Sequence, residues 1–242
     1  MSEAKDRLFV ALDVDTAEQA LELVSALSEC TQRFKVGSRL FTAAGPAVVR
    51  KIVASGADVF LDLKFHDIPN TVAAAAAAAT RLGLFMFNLH VSGGREMMSR
   101  AVESASQVAA KEGVRPPLVI GVTVLTSTDE NTLREIGIAA SMEEQVLSLA
   151  SMSAAAGLDG VVASPREARL IRTAIDRPGF VIVTPGIRPA EASNDDQKRV
   201  MTPVEAISAG ADYLVVGRPI TAAQDPISAC RKVITEIKGA LG

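Results

Sequence analysis

Eight short apolar runs, separated by helix-like segments, limit most strongly what this chain can fold into. They are Leu8-Phe9-Val10-Ala11-Leu12, Phe34-Lys35-Val36, Val59-Phe60-Leu61, Leu84-Phe85-Met86-Phe87, Leu118-Val119-Ile120-Gly121-Val122, Gly160-Val161-Val162-Ala163, Phe180-Val181-Ile182-Val183 and Tyr213-Leu214-Val215-Val216. Their spacing is roughly 20 to 40 residues, enough for a strand, a crossover helix and two loops. Continuous apolar runs suit strands buried on both faces, as in a parallel sheet. Eight such units in about 250 residues predict an α/β fold, the (β/α)8 or TIM barrel. A doubly wound open sheet is the runner-up. No linker-like stretch divides the chain, so residues 1–242 are read as one barrel domain.

Local signals agree. Gly56-Ala57-Asp58, Gly157-Leu158-Asp159 and Gly210-Ala211-Asp212 each fit a glycine ending a helix before a short turn into the next strand. Thr16 to Gln19 reads as a capping box, followed by the apolar stripe Leu21, Val24 and Leu27. Ser141 to Ala155 places Met142, Val146, Leu149 and Met152 at helical spacing, as a helix core. Ala73 to Ala79 forms a strong helix with a thin surface, open to close approach by another helix or subunit. The longest polar interruption, Arg188 to Arg199, follows the seventh run and reads as a lid.

Composition excludes several function classes. A formal net charge of −3 and the absence of Trp argue against nucleic-acid binding. No apolar segment is long enough to span a bilayer, and the polar N-terminus has no apolar signal core. Cys30 and Cys230 are far apart in sequence and read as small apolar filler, which fits a reduced cytoplasm.

The residues at the expected strand ends are unusually polar. In a barrel the site lies at the C-terminal ends of the strands. Those ends carry Asp13, Lys35, Asp62 with Lys64, His90, Thr126 with Ser127, Ser164, Thr184 to Arg188, and Gly217 with Arg218. Strand alternation points Asp62 and Lys64 to one face, with Asp67 just beyond the strand. Buried charge is costly unless paired, so this is either a structural ion pair or an active site. Loops after strands seven and eight commonly bind phosphate in this fold. Here they supply Gly186 with Arg188 and Gly217 with Arg218, which favours a phosphorylated ligand. Asp13, Asp62 and Asp67 could hold magnesium, but Lys35 and Lys64 would oppose it, and no metal site is assigned. His66 reads as packing or surface, and His90 as structural.

Asp62-Leu63-Lys64-Phe65-His66-Asp67-Ile68-Pro69-Asn70-Thr71 resembles the signature of the orotidine 5′-phosphate decarboxylase family. The resemblance continues in order through Ala11-Leu12-Asp13, Phe34-Lys35-Val36-Gly37, Asn88-Leu89-His90, Val122 to Ser127, Thr184 to Arg188 and Val216 to Ile220. It implies conversion of orotidine 5′-monophosphate to UMP and carbon dioxide, without metal or organic cofactor. The implied catalytic residues are Lys35, Asp62, Lys64 and Asp67. Lys64 would stabilise the C6 carbanion as an ammonium and then protonate it. The implied partner is a second copy of the chain, whose Asp67 and Thr71 reach into the site. Asp13 and Lys35 would bind ribose, and Thr126, beside Ser127, the pyrimidine. Arg188, Gln197, Gly217 and Arg218 would hold the phosphate, with Ile68 and Pro185 among the substrate contacts.

Two rivals remain at this point. Related magnesium-dependent barrels decarboxylate 3-keto-L-gulonate 6-phosphate or condense formaldehyde with a pentulose phosphate. They share Asp-x-Lys-x-x-Asp but carry an acidic residue at the position of Lys35 and lack Ile68-Pro69-Asn70-Thr71. A non-catalytic sugar-phosphate-binding barrel would need no buried array of lysine and aspartate.

Overall fold

Parallel pairing runs unbroken from the first strand to the eighth and back to the first, closing a barrel in sequence order. A computed structural model describes residues 4–189 and 201–241. The strands are β1 (Leu8–Ala11), β2 (Arg33–Gly37), β3 (Asp58–Phe65), β4 (Met86–His90), β5 (Leu118–Val122), β6 (Gly160–Val162), β7 (Val181–Thr184) and β8 (Tyr213–Val216). The helices are α1 (Ala17–Leu27), α2 (Ser38–Ala54), α3 (Pro69–Thr80), α4 (Gly94–Glu112), α5 (Glu130–Glu135), α6 (Met142–Ala155), α7 (Ala168–Ala174), α8 (Pro203–Ser208), α9 (Arg218–Thr221) and α10 (Pro226–Leu241). The expected (β/α)8 barrel is therefore the fold, and the open sheet is not.

The apolar runs serve two cores because successive strand side chains face opposite ways. Phe9, Phe60, Ile120, Val122, Val183 and Val215 fill the barrel interior. Val10, Phe34, Leu61, Phe87, Val161 and Ile182 face the helices. Cutting a buried phenylalanine such as Phe60 to alanine costs about 3–5 kcal/mol. The aromatic fourth run is explained by this division. Phe85 meets Phe9 and Tyr213 in the barrel floor, with the Arg33 guanidinium 4.5 Å above its ring. Phe87 packs outside against Phe65. The strand itself starts at Met86, later than the apolar run suggests, although Phe85 already makes ladder bonds to Val59 and Leu118.

The three glycine–aspartate turns behave as expected at the glycine. Gly56, Gly157 and Gly210 have φ of 90°, 87° and 103°, a region that favours residues without Cβ. Two of the aspartates then cap a neighbouring strand: Asp159 accepts from Val119 N–H and Asp212 from Ile182 N–H, both at 2.8 Å. The capping box expected at Thr16 is only half formed. Thr16 accepts from Gln19 N–H, but the Gln19 side chain accepts from Asp15 instead. Ser141 and Glu144 make the full reciprocal box at the start of α6.

Two readings become specific. The close approach expected at Ala73 to Ala79 is filled within the chain by α4, where Ser104 Oγ donates to Ala73 O at 2.8 Å. Cys30 and Cys230, far apart in sequence, are both free and buried close to one another. Burial, helped by Cys30, pushes the Cys230 thiol up to about 12, so neither charge nor reactivity is favoured there. No described helix is long and apolar enough to cross a membrane.

Candidate active site

The C-terminal mouth of the barrel opens into a cavity of about 600 Å³. Its floor is the top inward layer of the strands, including Ala11, Phe60, Val122, Val162 and Val215. Charge enters on one side from three adjacent strand ends. Lys35 lies inward on β2, and its Nζ is 3.2 Å from both Asp13 Oδ1 and Asp62 Oδ2. Asp62 lies inward on β3, and its other oxygen accepts from Lys64 Nζ at 2.6 Å. The result is a chain of alternating charges, Asp13, Lys35, Asp62 and Lys64. Lys35 and Asp62 have side chains only 10% and 14% exposed, so each depends on its neighbours for solvation.

Burial pulls the Lys35 ammonium below its ordinary value, but Asp62 and Asp13 outweigh this and the net shift is upward. Burial likewise pushes the Asp62 carboxyl up. Lys35 and Lys64, with hydrogen bonds from Lys64 and Asn88, reverse that and hold it below the usual carboxylate range. Both groups therefore stay charged at neutral pH.

Lys64 reaches Asp62 by a route that alternation does not describe. Its φ is 53°, the sole positive φ at a non-glycine among the described residues. The β3–β4 register also slips between Leu61 and Phe65. A bulge at the strand end thus aims Lys64 into the cavity at a cost of order 1–3 kcal/mol. Strain of this kind concentrates at functional sites.

The opposite wall carries the predicted anion loops. Pro185, Gly186 and Arg188 follow β7, and Gly217 and Arg218 follow β8. Arg188 is buried, and its loop is tied down by Arg188 N–H to Met201 O at 3.0 Å. Thr126 and Ser127 line the cavity from the loop after β5. Gln197 and most of the proposed lid lie outside the described residues.

The mouth of this barrel therefore gathers Asp13, Lys35, Asp62, Lys64, Thr126, Pro185, Arg188, Gly217 and Arg218 in one cavity. Three predicted residues are not among its lining. Asp67, Ile68 and Thr71 are exposed, Ile68 at 67%, on the segment leading into α3. The Asp67 carboxylate accepts from Ile68 N–H at 2.6 Å, not from Lys64. His66 is exposed, with its ring 5.4 Å from that of half-buried His90. Burial, His66 and Lys64 together lower the His90 pKa.

Comparison with known proteins matches residues 6–233 to the orotidine 5′-phosphate decarboxylase / HUMPS family. The chain belongs to that family. It is 54% identical to the orotidine 5′-phosphate decarboxylase of Syntrophotalea carbinolica, covering 99% of this chain and 98% of that one. It is also 54% identical to the Moorella thermoacetica protein of the same name, over 97% and 93% of the two chains. The crystal structure of the Lactobacillus acidophilus orotidine 5′-phosphate decarboxylase superposes with a TM-score of 0.85 at 39% identity, covering 96% of this chain and 99% of that one.

One residue of this family member escaped the reading of the sequence as a contributor to the site. Asn88 is fully buried on β4 and bonds both Asp62 and the Lys64 backbone. The available signal was an amide at an inward strand position, two residues beyond Met86, in a run otherwise apolar.

Proposed function

We propose that this chain, acting as one barrel domain, decarboxylates orotidine 5′-monophosphate to UMP and carbon dioxide. The observation that carries this reading is the Lys35–Asp62–Lys64 chain of buried charge facing two arginine loops across one cavity. Close relatives bearing that enzyme's name support it.

The chemistry follows from the charges. Loss of carbon dioxide leaves a carbanion at C6 of the pyrimidine, with no electron sink attached. Lys64, as an ammonium, stabilises that charge and then donates its proton to C6. Asp62 keeps the ammonium in place through its 2.6 Å contact. Asp13 and Lys35 serve the ribose hydroxyls, and Thr126 the pyrimidine. Arg188, Gly217, Arg218 and Gln197 hold the phosphate, which is remote from the reacting carbon. Their binding energy then acts by closing and aligning the site.

The site is completed by a second copy of the chain. Asp67, Ile68 and Thr71 are exposed and outside their own cavity, which supports a role in the partner's. Such a two-fold arrangement gives both sites the same donated residues.

The test is release of carbon dioxide from orotidine 5′-monophosphate by the purified protein, with and without EDTA. Equal release in both arms is expected. Activity abolished by EDTA, or no release at all, would point to the magnesium-dependent branch or to a binding protein.

A further inference from the structure

The β3–β4 seam contains an inward side chain that links the two charged residues of the site without lining the cavity. Ordinary ladder pairing joins Phe60 to Met86 and Leu61 to Phe87, then resumes only at Phe65 with Leu89. Between these pairs β3 uses more residues than β4, and the Lys64 N–H falls outside the regular ladder. Asn88 meets it. The Asn88 Oδ1 accepts from Lys64 N–H at 2.8 Å, and its Nδ2 donates to Asp62 Oδ1 at 2.7 Å. Each bond fixes the amide's orientation independently, because an N–H can only donate and a carboxylate can only accept. A flipped amide would lose both.

The same Asp62 oxygen takes the Lys64 ammonium at 2.6 Å. One amide therefore contacts both ends of the critical pair: the carboxylate directly, and the lysine through its backbone. Lys64 stands in a conformation that most side chains avoid, with φ 53°. Such a conformation persists only when its surroundings enforce it. Asn88 is fully buried, so its two bonds are shielded from competing water.

We infer that Asn88 is a positioning residue, whose amide holds the Lys64 backbone in its bulged conformation and locks the Asp62 oxygen that receives the Lys64 ammonium. It does not touch substrate. The inference rests on the decarboxylase reading for its consequence, but its geometry can be tested without any reaction.

Two variants separate its two bonds. Asn88→Asp is nearly the same size and keeps an acceptor for Lys64 N–H, but it places a second carboxylate against Asp62. Asn88→Ala removes both bonds. With orotidine 5′-monophosphate, kcat should fall about 10- to 100-fold in Asn88→Asp while KM stays near wild type, because the ribose and phosphate contacts are intact. The acid limb of the kcat profile should also move to higher pH, since two adjacent carboxylates share a proton. The other charges facing the pair, Lys35 on β2 and His90 on β4, are unchanged. A purely structural role would lower thermal stability and the active fraction and leave the profile where it is.

The reaction-independent readout is amide hydrogen exchange at Lys64. Protection should persist in Asn88→Asp and be lost in Asn88→Ala. If Asn88→Ala does not fold, the Asn88→Asp kinetics and exchange carry the test. Wild-type kcat and pH profile in folded Asn88→Asp, or full protection of Lys64 in folded Asn88→Ala, would overturn the assignment. Failure of the wild-type protein to release carbon dioxide would instead strike the decarboxylase reading and leave the exchange result to stand alone.

Discussion

The Lys35 ammonium lies 2.9 Å from the point where a Cβ on Gly37 would sit. Both residues face the barrel mouth from β2, two positions apart. Gly37 has φ −97° and ψ −179°, extended backbone that alanine adopts freely. Its glycine is thus required by space rather than by conformation. Gly37→Ala should displace Lys35 from between Asp13 and Asp62 while the barrel still folds. A loss of kcat/KM of about 100-fold is expected, the scale of a roughly 1 Å misplacement, together with a Tm lowered by roughly several degrees because the buried Lys35–Asp62 pair is loosened. Unchanged kinetics would show that the Lys35 position is not critical.

The arginine after β8 offers a test of substrate class. Arg218→Ala should weaken turnover of orotidine 5′-monophosphate far more than turnover of the unphosphorylated nucleoside. Loss of a charged hydrogen-bonding partner is worth about 1.5–3 kcal/mol, or roughly 10- to 100-fold in kcat/KM. The check is the ratio of kcat/KM for the two substrates in wild type and variant. An equal proportional loss on both would remove Arg218 from the phosphate site.

Stability should follow pH through the Lys35–Asp62 pair. The Asp62 pKa is lowered from 3.8, so its contribution is present above that value and lost as pH falls through the folded-state pKa. The Lys35 pKa is raised from 10.5, so its contribution is complete below that value and lost as pH rises through the folded-state pKa. Lys35→Met should cost about 3 kcal/mol at neutral pH, toward the low end for a broken buried pair because Lys64 still neutralises Asp62. Denaturant unfolding across pH should show the gap between wild type and Lys35→Met narrowing at both extremes. A gap independent of pH would mean that lost packing, not lost charge, destabilises the variant.

The proposed sharing of the site between two copies of the chain can be tested by mixing variants. Lys64→Ala and Asp67→Ala homodimers should each be nearly inactive. If Asp67 serves the partner's site, a mixed dimer has one site with both lesions and one with none. Random exchange makes about half the dimers mixed, so activity should recover to roughly a quarter of wild type. No recovery after verified subunit exchange would assign Asp67 to its own chain.

The barrel was legible because both faces of its strands are buried, which leaves eight apolar runs in the sequence. The charged cluster was legible because Lys35 and Asp62 interrupt or end such runs, where burial demands a partner. The contact between Asp62 and Lys64 follows from alternation on paper, yet the molecule reaches it through a bulge and a positive φ. A period-two pattern cannot reveal that. Asn88 was silent because its partners lie 24 and 26 residues away, and an isolated amide carries no charge signal. Cys30 and Cys230 meet only because barrel closure brings α10 back to the first βα unit. The placement of Asp67 outside its own cavity needs three dimensions, and its proposed role needs a second chain.

The most direct measurement is single-turnover release of carbon dioxide from orotidine 5′-monophosphate by the wild type and by folded Lys64→Ala. Wild-type release with UMP as product is expected, and Lys64→Ala should fall below about a hundredth of that rate, since general acid catalysis alone is worth roughly 10²- to 10⁴-fold. A folded Lys64→Ala protein that keeps more than this would contradict the role given to the Lys64 ammonium.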